Sequence, residues 1–176
     1  MNIIAQKTIN LMKNLYALKD INKTLQELDK TNEILAPEHN LILPDYYVEI
    51  FEESFSLLIE LSILLRREFE KLEKLGVSVN SSVKYVNVAK IKDTKKDVSF
   101  EEILSKIIHA SRITFVMKEP NGKVGNAFAI SRNSYFTNIA TIRTTNKLGK
   151  DFLIDIDLKK FCINAMQIGS ELRIII

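Results

Sequence analysis

The chain has 176 residues, of which 46% are hydrophobic and 27% charged, and these values are typical of one globular domain. The single cysteine, Cys162, excludes an intrachain disulfide and a thiolate metal cage, so we expect a reducing, cytoplasmic setting. Charged residues interrupt the N-terminal and later apolar stretches, so we expect neither a secretion signal nor a membrane span.

Positive charge is concentrated in the middle of the sequence. Residues 1–75 contain 9 basic and 13 acidic residues, whereas residues 76–150 contain 13 and 5, a net charge of +8. A concentration of this kind attracts phosphate backbones or an acidic protein surface. The alternative is that the lysines only keep exposed loops in solution.

Two long amphipathic helices are predicted in the first part of the chain. Apolar residues recur at helical spacing over residues 4–28 and again over residues 51–72. Pro37 and Pro44 predict a non-helical connection between them, after which Asp45 caps the second helix. We expect the two helices to form an antiparallel pair.

A third helix is predicted after a basic stretch. Residues 77–96 mix β-branched residues and lysines without clear alternation, which predicts a partly extended loop. Ser99 and Glu102 then form a capping box, in which the serine accepts from a backbone N–H and the glutamate reaches back. This helix is expected to include residues up to 112.

Short strands are predicted after the third helix, because the hydrophobic period changes. They cover residues 113–117, 124–130, 135–142 and 152–156. Short connections favour an antiparallel meander. Asp157 is predicted to cap a last helix that Gly169 ends, and residues 172–176 then pack or form an edge strand.

These elements predict a single domain over residues 1–176 of class α+β, predominantly α. Its parts are a helical part at residues 1–112, a small β-meander at 113–156 and a docking helix at 157–169.

The third helix carries the residues that most clearly suggest chemistry. Lys106, His109 and Arg112 are spaced i, i+3 and i+6, which places them on one helix face. They could bind a phosphate, with His109 as a proton donor or acceptor. The alternative is a boundary histidine with two cations in water. Because His39 is the only other histidine, a multi-histidine metal site is excluded, and we expect no cofactor.

The second helix carries three further candidates. Glu60 interrupts the most apolar run, where a carboxylate is costly unless it is paired. It could orient His109 as a catalytic partner or bind Arg112, or it could lie on a narrow wet strip. Arg66 and Arg67 could bind phosphate together, or they could be an ordinary surface pair.

Basic and aromatic residues also alternate in the strand region, at Arg132, Tyr135, Phe136 and Arg143. This pattern could hold single-stranded nucleic acid, with core aromatics as the alternative. Cys162 lies on the apolar face of the last helix and is predicted to be a core residue.

Three short motifs resemble HEPN-like proteins of bacteria and plasmids. They are Ile107-Ile108-His109-Ala110, Ile154-Asp155-Ile156-Asp157-Leu158 and Phe161-Cys162-Ile163-Asn164-Ala165. In that family, active ribonucleases are all-helical dimers that cut RNA without a metal, using an arginine four to six residues before a histidine. In this chain, the only basic residue that precedes His109 on the same predicted helix is Lys106, at another spacing. The resemblance therefore implies a module that binds RNA or an acidic partner without cutting RNA.

Three functions are consistent with these patterns. We expect an RNA-binding or acidic-partner-binding module, with the Lys106, His109 and Arg112 face as its site. A second possibility is a homodimeric scaffold that associates through the long helices. A third is a metal-independent ribonuclease that uses His109 and Glu60.

Overall fold

The computed structural model describes residues 2–30, 37–77, 81–118, 124–126, 135–145 and 149–175. The helices are α1 (Ile3–Lys30), α2 (Pro37–Lys74), α3 (Ser81–Lys84), α4 (Phe100–Ile108) and α5 (Leu158–Ile175). The strands are β1 (Asn87–Ile91), β2 (Asp97–Ser99), β3 (Arg112–Lys118), β4 (Val124–Asn126), β5 (Tyr135–Thr145) and β6 (Asp151–Asp157). The predicted α+β class is confirmed. Among the described helices, none combines the length and apolar character needed to cross a bilayer.

The two longest helices, α1 and α2, contact each other in opposite directions. Lys7 on α1 forms an ion pair with Glu60 on α2. Further along α1, the Asn14 side-chain amide donates to the Glu53 carboxylate on α2 at 3.1 Å. The partner number on α2 falls as the number on α1 rises, so the helices are antiparallel.

The predicted helix break at Pro44 is wrong, because α2 begins at Pro37 and continues through Pro44 and Asp45. A proline suits the first turn of a helix, where its missing N–H has no intrahelical partner. Inside the helix, Pro44 removes one backbone hydrogen bond at a cost of about 3 kcal/mol. The helix nonetheless continues on both sides of Pro44.

The six strands form one sheet with the order β2-β1-β6-β5-β3-β4, and every neighbouring pair is antiparallel. The predicted strands at 113–117, 135–142 and 152–156 are confirmed as β3, β5 and β6. In the stretch predicted at 124–130, β4 covers 124–126, and residues 127–130 lie outside the described ranges. The predicted meander order is wrong, because β5 pairs directly with β3 and leaves β4 at the sheet edge.

The basic loop predicted at residues 77–96 is also wrong, because it contains α3 and β1 and leads into β2. The turn of this hairpin is closed by two backbone hydrogen bonds, from Lys95 N–H to the Ile91 carbonyl and from Ile91 N–H to the Lys96 carbonyl, each 2.9 Å long. Lys95 has a φ of 56°, a conformation usually taken by glycine or asparagine. The absence of those residue types hid the hairpin from the sequence pattern.

One face of the sheet, which we call the inner face, is covered by the helices. Its central residues, Ala140 and Ile142 on β5 and Ile154 and Ile156 on β6, are fully buried. The α2 helix contributes Phe55, whose ring centroid lies 4.5 Å from that of Phe115 on β3. Because successive strand side chains point to opposite faces, the residues between these form the opposite, outer face.

The last helix, α5, begins as predicted and ends later than predicted. The Asp157 carboxylate accepts from the backbone N–H of Lys160 at 3.0 Å, which confirms the cap. The predicted stop at Gly169 is wrong, and residues 172–175 are helical rather than an edge strand. A Cβ at Gly169 would lie 3.3 Å from the backbone nitrogen of Ala5. The glycine therefore permits close packing of α5 on α1.

This close packing predicts the effect of a larger side chain. Gly169→Leu is expected to lower the free energy of unfolding by about 1–3 kcal/mol, because α1 would have to move away. Gln167→Leu is a matched control on an exposed position of the same helix and is expected to change stability by less than about 0.5 kcal/mol. Urea denaturation followed by circular dichroism measures both variants. Equal stability of the two would contradict the α1–α5 contact.

Candidate nucleic-acid interface

The third predicted helix, α4, begins at the predicted cap, because the Ser99 hydroxyl accepts from the backbone N–H of Glu102 at 3.3 Å. It ends at Ile108, with His109 as its C-cap, and Arg112 is the first residue of β3. The backbone N–H and hydroxyl of Ser111 both donate to the Arg143 carbonyl, at 2.9 and 3.3 Å, and so start strand pairing. The predicted helix face of Lys106, His109 and Arg112 is therefore wrong.

The two predicted catalytic residues are not brought together. Glu60 forms its ion pair with Lys7 across the α1–α2 contact. His109 is exposed at the end of α4, where its backbone N–H donates to the Ser105 carbonyl at 3.2 Å. Both residues are described, and no hydrogen bond or ion pair joins their side chains. The acid–base pair remains a prediction without supporting geometry.

The predicted arginine pair on α2 is divided between two environments. Arg66 donates to the Glu70 carboxylate at 3.0 Å and to the Ser105 hydroxyl at 3.4 Å, so it links α2 to α4. Arg67 is exposed. Adjacent helix residues point in different directions, so the two guanidinium groups do not form one phosphate site. Lys106 is likewise engaged, because its ammonium lies 5.4 Å from the centroid of the Phe152 ring.

Lys84, in the basic segment of residues 76–150, forms ion pairs that connect two helices. Its ammonium lies 2.7 Å from the Glu73 carboxylate on α2 and 2.8 Å from the Glu101 carboxylate on α4. The side chain is only 12% exposed. Hydrogen bonds to Glu101 and then Glu73 raise the pKa of Lys84 above its ordinary value, against the effect of burial. This lysine holds acidic groups of two helices together.

Arg112 and Arg143, in contrast, meet without an acidic partner. They are direct cross-strand partners in the β3–β5 register, so their side chains share the outer face. Both are exposed. Within the described part of the chain, neither guanidinium has an ion pair or a side-chain hydrogen bond. Of the described residues predicted to bind phosphate, these two are the pair that the fold places side by side.

The arginine pair belongs to a row that crosses the sheet, which we call the outer row. Arg143 is the register partner of Leu153 on β6, and the Leu153 carbonyl accepts from the backbone N–H of Lys92 at 2.9 Å. The outer row is therefore Arg112, Arg143, Leu153 and Lys92. With strands about 4.8 Å apart, its three steps span roughly 14 Å.

A groove of about 480 Å³ lies beside this row, along β1 and β6 on the outer face. We call it the β1–β6 groove. Its lysines are Lys90, Lys92, Lys95 and Lys160. Its carboxylates are those of Asp97, Asp155 and Asp157. A concavity of this volume is in the usual range of ligand sites.

The charges in the groove are only partly balanced. Lys90 lies 3.5 Å from Asp97 and Lys92 lies 3.7 Å from Asp155, measured between ammonium and carboxylate oxygen. Asp155 also accepts from the Thr141 hydroxyl at 2.6 Å. The middle of the groove is thus a network of paired charges.

The sequence patterns missed this groove. Lys90 and Lys92 are two residues apart, the spacing that puts side chains on one strand face, and this was the available signal. Lys95 and Lys160 reach the groove from a turn and from a helix that are 65 residues apart in the sequence. No local pattern indicates that meeting.

The remaining candidates are placed as follows. Arg132 lies outside the described residues. Tyr135 is exposed, whereas Phe136 is a core residue whose ring centroid lies 5.5 Å from that of Phe115. Cys162 is fully buried, which confirms its predicted core position. Burial, followed by the charge of Asp157, raises the pKa of the Cys162 thiol to about 12, so it is a poor nucleophile.

A search for metal-binding groups and comparisons with known proteins give no further indication of function. The described residues contain no group of three or more His, Cys, Asp or Glu side chains that could hold a metal ion. No protein-family model, no curated protein and no solved structure matches the chain. The resemblance to HEPN-like proteins therefore stays a prediction.

The arginine pair makes a testable prediction about stability. Like charges directly opposite on neighbouring strands repel, by about 0.2–1 kcal/mol. In a double-mutant cycle of Arg112→Ala and Arg143→Ala, we expect an unfavourable coupling of that size in low salt. Screening should reduce the coupling at 1 M salt, where the Debye length is about 3 Å. Urea denaturation at both salt concentrations measures it, and a favourable or salt-independent coupling would contradict the proximity of the two charges.

Proposed function

We propose that this protein binds RNA through the outer row and does not cut it. The observation that carries the proposal is the exposed pair of Arg112 and Arg143, register partners that face the same side of the sheet and have no ion pair in the described chain. The arginine fork matches the geometry of phosphate oxygens and donates two hydrogen bonds at once.

The pair also carries a cost that a purely structural role does not explain. Placing two like charges opposite each other lowers stability, whereas several other cations of the described chain are matched with carboxylates. Lys7, Arg66 and Lys84 each have an acidic partner. An anionic ligand between Arg112 and Arg143 would turn the repulsion into attraction. Features that lower stability and remain exposed are typical of binding sites.

The distribution of charge along the chain supports the same proposal. Arg112, Arg143 and Lys92 all come from the segment of residues 76–150 that has a net charge of +8. Each phosphate contact releases counterions, so such a surface gains affinity from several weak contacts together. The separation of Glu60 from His109 supports binding without cleavage. Under this proposal, a relationship to HEPN-like proteins would be one of common ancestry, without their ribonuclease activity.

The scaffold alternative receives less support from the described residues. A homodimer through the long helices would need their apolar stripes to be available. Leu11, Leu15 and Leu18 of α1 are buried within the protein, and Phe55 of α2 packs on Phe115. Where the structure describes these side chains, the stripes are used by the core of the chain itself.

RNA binding is tested by removing the arginine pair. The double variant Arg112→Ala/Arg143→Ala is expected to bind a fluorescein-labelled single-stranded RNA about tenfold or more weakly, since charged hydrogen bonds contribute about 1.5–3 kcal/mol. The slope of log affinity against log salt should fall by about 1.4, or 0.7 for each lost phosphate contact. Fluorescence anisotropy over a salt series measures both quantities.

The matched control is Lys13→Ala/Lys19→Ala, which removes the same charge from exposed positions of α1. It should leave both affinity and slope nearly unchanged. Polyglutamate in the same assay tests the acidic-partner alternative. Equal weakening by the two double variants would indicate a diffuse charge effect and would contradict a site at the arginine pair. Tight binding of polyglutamate would favour the acidic partner over RNA.

A further inference from the structure

The outer row and the β1–β6 groove meet at Lys92 and run at right angles. The row crosses the strands, because its members are register partners on β3, β5 and β6. The groove follows the strands, because it is lined along β1 and β6. Lys92 belongs to both: its backbone pairs with Leu153, and its side chain lines the groove beside Asp155.

The cations at the two ends of the groove are Lys95 and Lys160. Lys95 lies in the turn after β1, and Lys160 lies in the first turn of α5 after β6. The antiparallel register of β1 with β6 places this turn and the start of α5 at opposite ends of the two strands. Four strand residues separate these ends, roughly 13 Å at the usual rise. Both lysines are exposed, and within the described residues neither has an ion pair.

The middle of the groove has a different character. Lys90, further along β1, is matched by Asp97, and Lys92 is matched by Asp155 at the corner with the outer row. Carboxylates repel phosphate, but they accept hydrogen bonds from sugar hydroxyls and from base amino groups. The groove therefore offers cations at its ends and acceptors between them. A strand of RNA has the complementary groups, because its phosphates alternate with sugars that carry a 2′-hydroxyl donor.

We infer that the ligand is single-stranded RNA that follows the outer row, turns at Lys92 and continues along the β1–β6 groove to Lys160. This inference rests on the proposed RNA binding. A duplex is disfavoured on this path, because bending even 20–30 bp of double-stranded DNA by 40–90° costs about 1–6 kcal/mol, and the corner here is much shorter. The corner lies within about 14 Å of each end, a distance that a few flexible nucleotides span.

The test compares strandedness and the groove lysines in one binding assay. The probes are an eight-nucleotide labelled RNA and the blunt duplex that it forms with its complement. The groove variant is Lys95→Asn/Lys160→Ala, in which asparagine tolerates the positive φ of residue 95. The control is Lys96→Asn/Lys159→Ala, which changes neighbouring exposed lysines that are not part of the groove lining. Circular dichroism verifies that both variants fold.

We expect the single strand to bind at least tenfold more tightly than the duplex. The groove variant should weaken single-strand binding about three- to tenfold, and the control should leave it unchanged. If strand and duplex bind equally and the two lysine variants behave alike, the inferred path is overturned. The double variant Arg112→Ala/Arg143→Ala separates failure of the inferred path from failure of the proposed function. If this variant still weakens RNA binding, the proposed function stands without the path. If it has no effect on RNA binding, the proposed function and the path both fail.

Discussion

Helices cover the inner face of the antiparallel sheet, and this apolar burial decides where the charged strand residues lie. Strand side chains alternate between faces, so a core built from Ile142 and Ile154 on one side commits Arg143 to the other. The aromatic contact of Phe55 with Phe115 applies the same constraint to β3, where Arg112 lies outside. A one-residue slip of either strand would exchange the two faces. The apolar core and the cationic outer row are therefore consequences of the same register.

The cations of this protein divide into two groups with different physical roles. Lys84, with its raised pKa and two carboxylate partners, holds helices together. Arg112 and Arg143 have no such partner in the described chain and oppose each other across two strands. Net charge does not separate these groups, because all three residues count equally toward the +8 of the middle segment. Their contacts separate them: Lys84 is paired with carboxylates, whereas Arg112 and Arg143 have no ion pair within the described chain.

Local sequence patterns correctly predicted features that depend on residues close in sequence. They failed for features that depend on contacts between residues far apart in sequence. The caps at Ser99 and Asp157 were predictable because both partners lie within three residues. Gly169 looked like a helix stop, yet its small size serves the contact with α1, which begins more than 160 residues earlier. Arg112 was assigned to the third helix because helical spacing continues that far. Its true neighbour, Arg143, is fixed by strand register, which the sequence around either residue does not contain. The candidate site was thus predicted as a set of residue types, and only the fold supplied its geometry.

The central claim is that the outer face of the sheet is where RNA binds. Amide chemical-shift mapping of the ¹⁵N-labelled protein during titration with an eight-nucleotide RNA tests it most directly, because each backbone N–H reports separately. We expect shifts concentrated at Arg112, Arg143, Leu153 and Lys92 and extending along β1 and β6 to Lys160, with α1 and the middle of α2 unaffected. Shifts concentrated at His109 and Arg66, with the outer row unchanged, would contradict it.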